Sequence, residues 1–493
     1  SDVGKSVLVA GLGRLLARKG IRVLPFKAQN MANNAAVCAD GSEIGRAQAL
    51  QALACGFEPV AQMNPLLLKP NSETGSQVVA LGRPVGNMDV HAYHAWRDTG
   101  WAIVEKAYRQ LAERAQVMLI EGAGSIAEIN LRDRDITNLA VARMADAGVL
   151  LVADIERGGV FASILGTLQL LDPGDRARVL GVIINRFRGD ASLLEPGIRE
   201  LEARTGVPVL GVVPWLDLHL PAEDSLSLDN RVRSSEGVVR IGVVRLPRIA
   251  NSTDFEPFEQ EPGVVLQYLT RPEELAGVDL LILPGTKSTL GDLDWLRRTG
   301  LAEAIRAWHA SGGMVVGICG GFQMLGQRVT DPDGVEGAPS ETEGLGLLDI
   351  ETVMRPVKQT HQVEATFLTA AGAAGFAGFE RIRGYEIHAG ETRYGILARP
   401  LLRLTRRSGE EVAIEDGAVS SDGRVWGSYL HGLFDDERLR HALLLPLFLA
   451  KGIEPEGQQS TDLDSELDRL AGHLETHLDL EPVWRHLGLE NVS

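Results

Sequence analysis

Short, unbroken apolar runs recur along the first half of the chain, at residues 23–26, 117–120, 149–153, 179–184 and 207–213. They are rich in Val, Leu and Ile, and helix-compatible sequence separates each from the next. A strand covered by helices on both faces has no solvent side, so its polar alternation disappears; a parallel sheet is the expected home of such runs. Residues 6–19 instead place apolar side chains at helical spacing and stop at Gly20, a residue suited to the left-handed turn that ends a helix. The pattern predicts an α/β fold.

Between 221 and 237 the chain reads PAEDSLSLDNRVRSSEG and loses its apolar periodicity, as linkers do. A second α/β series follows at 239–246, 264–268, 279–283 and 314–318; residues 332–343 are loop-like, and beyond 444 Leu mixes with charges in a helical manner. The predicted organisation is a first domain over 1–220, a linker over 221–238, a second domain over 239–445 and a helical tail over 446–493. A chain of 493 residues is too long for one ordinary core, which agrees with two domains. Each domain is expected to be an open, mostly parallel sheet flanked by helices.

Composition narrows the function. Apolar residues make up 44% and charged residues 23%, and no apolar run approaches the roughly 20 residues of a membrane span. No membrane partner and a cytoplasmic location are expected, since no leader pattern opens the chain. Cys38, Cys55 and Cys319 form no CxxC pair and are too few for a disulfide framework. A net charge of −17 argues against nucleic acid, while a local cluster of cations could still hold an anionic small molecule. The number of subunits is left open, a homo-oligomer included.

The sharpest chemical signal is GICGGFQMLG at 317–326. An apolar strand runs into a small–Cys–small turn and then a helical stretch, so Cys319 is presented above the sheet on a turn that its glycines permit. A helix start favours the reactive thiolate, and the N–H of Gly320 suits one half of an oxyanion hole. LPGTKST at 283–289 offers the second half near Gly285. SYLHGLF at 428–434 supplies His431 as the base a thiol nucleophile needs. Singly, a buried Cys and a core His would be ordinary; in this order they resemble the class I glutamine amidotransferases, which implies a flavodoxin-like second domain here. Many of that class place Glu two residues after the His, where this chain has Leu433. The expectation is therefore an imidazole held by packing or a backbone carbonyl, with Asp435 or Asp436 as alternative acids. A Glu at 433 is expected to raise the glutaminase rate or leave it unchanged. His388, in GYEIHAG, is a second candidate histidine.

The chain opens SDVGKS and enters a helix. Gly4, Lys5 and Ser6 resemble the end of a P-loop, where Lys reaches the phosphates and Ser binds Mg²⁺. The motif's leading glycine would precede Ser1, so the chain is expected to start inside it. Glu121 ends a buried strand, where a Mg²⁺ ligand belongs in an open α/β sheet. Lys27 follows another strand and leads into an amide-rich stretch with Asn30, which suits either a polar ligand or a turn that caps itself. Asn185 is placed to recognise adenine. Asp135 either caps a helix or touches substrate, and Asp154 and Arg157 lie in a glycine-containing charged loop of similar ambiguity.

Together SDVGKS, FKAQNMANN, NPLLLKP, IEGAGS, AEINLRDRDITNLA, DIERGGVFAS, INRFRGD, PGTKST, GICGGFQMLG and SYLHGLF resemble the cobyric acid synthases over nearly the whole chain except the end. That resemblance implies a dethiobiotin-synthetase-like, P-loop ATP domain followed by a glutaminase. It implies ATP, Mg²⁺ and glutamine, and a corrinoid substrate whose b, d, e and g carboxylates become amides. A cobyrinic acid a,c-diamide synthase is the nearest alternative; a non-catalytic P-loop switch with a degenerate amidotransferase module is the other.

Overall fold

The computed structural model describes residues 3–70, 75–221, 237–368, 375–376, 379, 381–454 and 462–489. Ser1, Asp2 and most of the expected linker, residues 222–236, lie outside them. The chain divides into two compact units: Ser1–Met31, Ile44–Pro221 and Thr461–Ser493 form one, and Ala32–Glu43 with Ala222–Ser460 the other.

In the first unit, strand Val23–Phe26 pairs in parallel with Val117–Ile120. Val179–Phe187 lies between Val149–Asp154 and Val209–Pro214, again all parallel. The strand ends therefore deliver Lys27, Glu121, Asp154 and Asn185 to the carboxyl edges, where open α/β sheets bind ligands. Helix Lys5–Arg18 buries Leu8, Leu12, Leu15 and Leu16, and Gly20 closes it with φ 78°. Against it lies Leu463–His477, whose Leu470 and Leu474 share a core with Leu8, Leu12 and Leu15. Full burial of each such side chain contributes about 1.5–3 kcal/mol. The flanking pairs Arg14–Asp468 (2.7 Å) and Lys19–Glu475 (3.0 Å) are partly exposed and add little by comparison. An antiparallel ribbon, Leu66–Pro70, Gly75–Ala80 and Arg83–Asp89, and the long helix Val90–Ala112 complete the unit.

The second unit is built on a parallel sheet in the order Val264–Leu269, Val239–Val244, Leu280–Leu283, Met314–Ile318, Val425–Ser428. All four residues of Leu280–Leu283 are buried, as the unbroken apolar run requires. Beyond Val425–Ser428 the sheet turns antiparallel through Glu410–Val419, Arg399–Arg407, Ile350–Phe367 and Ile382–Tyr394. Ile350–Phe367 and Arg399–Arg407 mix buried with exposed or half-buried residues, so they left no continuous apolar run in the sequence.

Candidate active sites

Strand Met314–Ile318 ends at Cys319, whose backbone takes φ 51° and ψ −108°. A non-glycine residue held there stores on the order of 1–3 kcal/mol of strain, and the surroundings must enforce it. They do so by contact of backbone with backbone. A methyl group on Gly321 would stand 1.9 Å from the carbonyl oxygen of Leu283, and one on Gly317 would stand 2.7 Å from the amide nitrogen of Phe322. The amide of Cys319 donates to the carbonyl of Ser428 at 2.8 Å, fixing the turn to the neighbouring strand.

His431 sits on the short strand Leu430–His431, antiparallel to Tyr385–Glu386, with the Tyr385 ring stacked on it at 5.2 Å. On one side the ring lies beside Cys319, which raises its pKa; the Cys319 thiol donates to the carbonyl of Ile387 at 3.6 Å, and Nδ2 of Asn251 stands 3.3 Å from Nε2 of His431. On the other, Nδ1 donates to Oδ2 of Asp254 at 2.6 Å, and the second oxygen of that carboxylate accepts the N–H of Gly432 at 3.1 Å. Asp254 comes from the turn Ser252–Phe255 and is buried, as is His431. This corrects the sequence-based expectation: a carboxylate 177 positions upstream orients the imidazole, not packing, a carbonyl, Asp435 or Asp436. Asp436 instead caps helix Glu437–Ala450. Burial alone would lower the pKa of His431, but Asp254 and then Cys319 outweigh it and raise it to about 9.

Gly285 and Gly320 flank the pair. A methyl on Gly285 would stand 3.2 Å from Cε1 of His431 and 3.7 Å from Cβ of Cys319, and one on Gly320 would stand 3.1 Å from the amide nitrogen of Thr286. His388 has other partners: Nδ1 contacts the carbonyl of Gly390 at 2.8 Å, Nε2 contacts Glu386 at 3.4 Å, and the ring stacks on Tyr429. Leu433 is buried in the core. Asp254 was missed because an isolated acid on an irregular turn has no local pattern; only the fold brings it to His431.

In the first unit, Gly4 takes φ 87° at the start of helix Lys5–Arg18, and a methyl there would stand 2.4 Å from Nδ2 of Asn185. That amide donates to the carbonyl of Val3 at 2.8 Å, so Asn185 braces the loop. Ser6 Oγ donates to Oε1 of Glu121 at 2.8 Å, Lys27 Nζ pairs with the same oxygen at 2.8 Å, and Gln51 Nε2 donates to Oε2 at 2.6 Å. Glu121 and Lys27 are both buried, and a buried carboxylate needs such compensation. Lys5 reaches the carbonyl of Gly124 at 3.4 Å. Gln51, on helix Arg46–Ala54, was not singled out from sequence.

The remaining candidates have separate partners. Asn30 donates to Gln48 at 3.0 Å. Asp135 accepts the N–H groups of Thr137, Asn138 and Ala140, which is the capping alternative. Asp154 pairs with Arg186 at 3.2 Å, and Arg157 lies exposed. Among the described residues no group of three or more His, Cys, Asp or Glu could hold a metal, and no helix is long and apolar enough to cross a membrane.

Comparison with known proteins assigns one family to each of two contiguous stretches of the chain. Residues 1–226 match the CobQ/CobB/MinD/ParA nucleotide binding domain family, and residues 240–439 match the CobB/CobQ-like glutamine amidotransferase domain family. Over 99% of its length the chain is 47% identical to a curated cobyric acid synthase of Syntrophobacter fumaroxidans, covering 97% of that protein. It is 49% identical to those of Photorhabdus laumondii (98% of this chain, 96% of that protein) and Sorangium cellulosum (99% and 97%).

Proposed function

The chain belongs to the cobyric acid synthase family, and we propose that it converts the b, d, e and g carboxylates of adenosylcobyrinic acid a,c-diamide, or its cobalt-free counterpart, to amides. Glutamine supplies the nitrogen and ATP activates each carboxylate. The observation that carries this reading is the buried Cys319–His431–Asp254 relay at a strained turn, in one chain with a Gly-Lys-Ser loop facing Glu121.

In the glutaminase half, the sulfur of Cys319 attacks the side-chain amide carbon of glutamine. With its pKa near 9, His431 is protonated at neutral pH and gives that proton to the departing nitrogen. Asp254 holds Nδ1–H, which keeps Nε2 directed at the reacting atoms. Gly285 and Gly320 are the oxyanion donors in this reading. Neutral imidazole then takes a proton from water as the thioester is hydrolysed to glutamate.

In the other half, oxide is too poor a leaving group for direct amidation. The γ-phosphoryl of ATP is therefore transferred to the carboxylate, and ammonia displaces phosphate from the acyl phosphate. Lys5 and Lys27 neutralise charge during that transfer, and Asn185, whose Nδ2 donates to the carbonyl of Val3, is the residue that recognises adenine in this reading. Ser6 and Glu121 would hold Mg²⁺: a hydroxyl and one carboxylate within hydrogen-bond distance are the hard oxygen donors it takes when phosphates and water complete its shell. Bound there, Mg²⁺ supplies charge neutralisation on the phosphates. Asn30, Asp154 and Arg157 are the corrinoid contacts in this reading, Asp135 serving the local turn instead, and the cytoplasm is the location. Mass spectrometry of corrinoid products made with ATP and amide-¹⁵N glutamine tests the reading. Four labelled amides on the a,c-diamide are expected; amidation only at a and c of cobyrinic acid would overturn it.

A further inference from the structure

The amide-rich stretch after Lys27 divides between the two units. Met31 ends its part in the first unit, while Ala32–Glu43 belongs to the second, although the chain on both sides belongs to the first. Asn34 is fully buried. Its Oδ1 accepts the N–H of Ser252 at 3.2 Å, and the N–H of the next residue, Ala35, donates to Oδ1 of Asn251 at 3.0 Å. Two consecutive residues thus clamp two others from a distant part of the chain.

The clamped pair begins the turn that carries Asp254. Asn251 has φ 54°, which costs a non-glycine residue on the order of 1–3 kcal/mol, and its carbonyl accepts the N–H of Asp254 at 3.0 Å. Two hydrogen bonds at about 0.5–1.5 kcal/mol each are of the size needed to hold that conformation. The segment is itself tied down within the unit. Cys38 N–H reaches the carbonyl of Ser42 at 2.8 Å, Gln362 donates to the carbonyl of Val37, and Glu43 forms a buried ion pair with Lys358.

We propose that Asn34 is a positioning residue of the glutaminase centre: its bond to Ser252, beside the bond from Ala35 N–H to Asn251, sets the turn that aims Asp254 at His431. The glutaminase unit is then incomplete without residues 32–43. This rests on the Cys319–His431–Asp254 reading above.

The test compares full-length Asn34→Ala, Asn34→Leu and Asn34→Asp with the parent, with Cys319→Ala as control. Leucine fills the amide's volume without an acceptor, so it serves if alanine does not fold. Aspartate keeps an acceptor for Ser252 N–H whether ionised or not. A misaimed catalytic group costs on the order of 10–100-fold, so glutaminase kcat should fall by that factor in the Ala and Leu variants with KM for glutamine unchanged, and recover in Asn34→Asp. In ¹⁵N-histidine-labelled protein the low-field Nδ1 proton of His431 should shift or broaden in the Ala and Leu variants and remain in Asn34→Asp. Ammonium-dependent synthesis should be unaffected in all three. Parent-like kcat and an unchanged His431 proton in a folded Asn34→Leu protein would overturn the proposal, as would Asn34→Asp as defective as Asn34→Leu. If Cys319→Ala itself hydrolysed glutamine normally, the underlying glutaminase reading would fail instead.

Discussion

Asp254→Asn isolates the carboxylate that the fold brings to His431. The substitution keeps the size of the side chain, but the new amide can donate to Nδ1 and so reverse the tautomer the mechanism needs. Asp254 and Cys319 together raise the imidazole from 6.5 to about 9 against the opposing effect of burial. At about 1.36 kcal/mol per pKa unit, this is a preference for imidazolium on the order of 3 kcal/mol. Losing the carboxylate's contribution, together with the orientation, predicts a fall in glutaminase kcat of roughly 10²–10⁴-fold. Glutamate release measures it directly, and ammonium-dependent synthesis in the same preparation reports whether the other half is intact. The pH profile carries the sign. In the parent, activity should decline as pH rises through about 9, where His431 loses the proton it must donate. In Asp254→Asn burial is opposed by Cys319 alone, so this decline should begin at lower pH. A folded Asp254→Asn protein with parent-like kcat and an unmoved alkaline limb would refute the relay.

Two further substitutions separate the halves of the enzyme. Cys319→Ala should abolish glutamine-dependent amidation while sparing synthesis from high ammonium, measured as corrinoid amide formed; equal loss with both nitrogen sources would count against separate sites. Lys5→Ala should abolish amidation from either source, because the acyl phosphate no longer forms, yet leave glutamate release measurable; near-normal ammonium-dependent turnover would remove the P-loop assignment.

The parallel strands were legible because a strand buried on both faces writes its burial directly into sequence, as Val23–Phe26 and Leu280–Leu283 do. Glycine-bound motifs were legible for a related reason: the turn at Cys319 and the loop at Gly4 need backbone conformations or contacts that few other residues permit. Interactions between distant parts of the chain left no such mark. Asp254 reaches His431 from 177 positions away, Leu463–His477 returns to Lys5–Arg18, and Ala32–Glu43 crosses to the second unit. Their residues look locally like an ordinary turn, an ordinary amphipathic helix and an ordinary polar loop.

Leu433 shows why a rule of position can fail while the chemistry behind it holds. An acid two residues after the histidine is one way to orient an imidazole; the requirement is a carboxylate at Nδ1, and Asp254 meets it from the turn Ser252–Phe255. Position 433 is consequently free to serve the core, and Leu433 is buried there among the residues that include Phe434, Phe255 and Phe258. The expectation that Leu433→Glu would help or be neutral therefore reverses. Nδ1 is already occupied, and a carboxyl group in an apolar setting is forced toward its neutral form by several pKa units, equivalent to about 3–5 kcal/mol. Against a typical stability of roughly 5–15 kcal/mol, that is enough to lower the melting temperature sharply or leave the variant unfolded. Thermal and urea melts of Leu433→Glu, with Leu433→Met as a volume-matched control, measure the effect. A Leu433→Glu protein as stable as the parent with faster glutamine hydrolysis would show that the carboxylate reaches the imidazole, and that Asp254 does not fill the role alone.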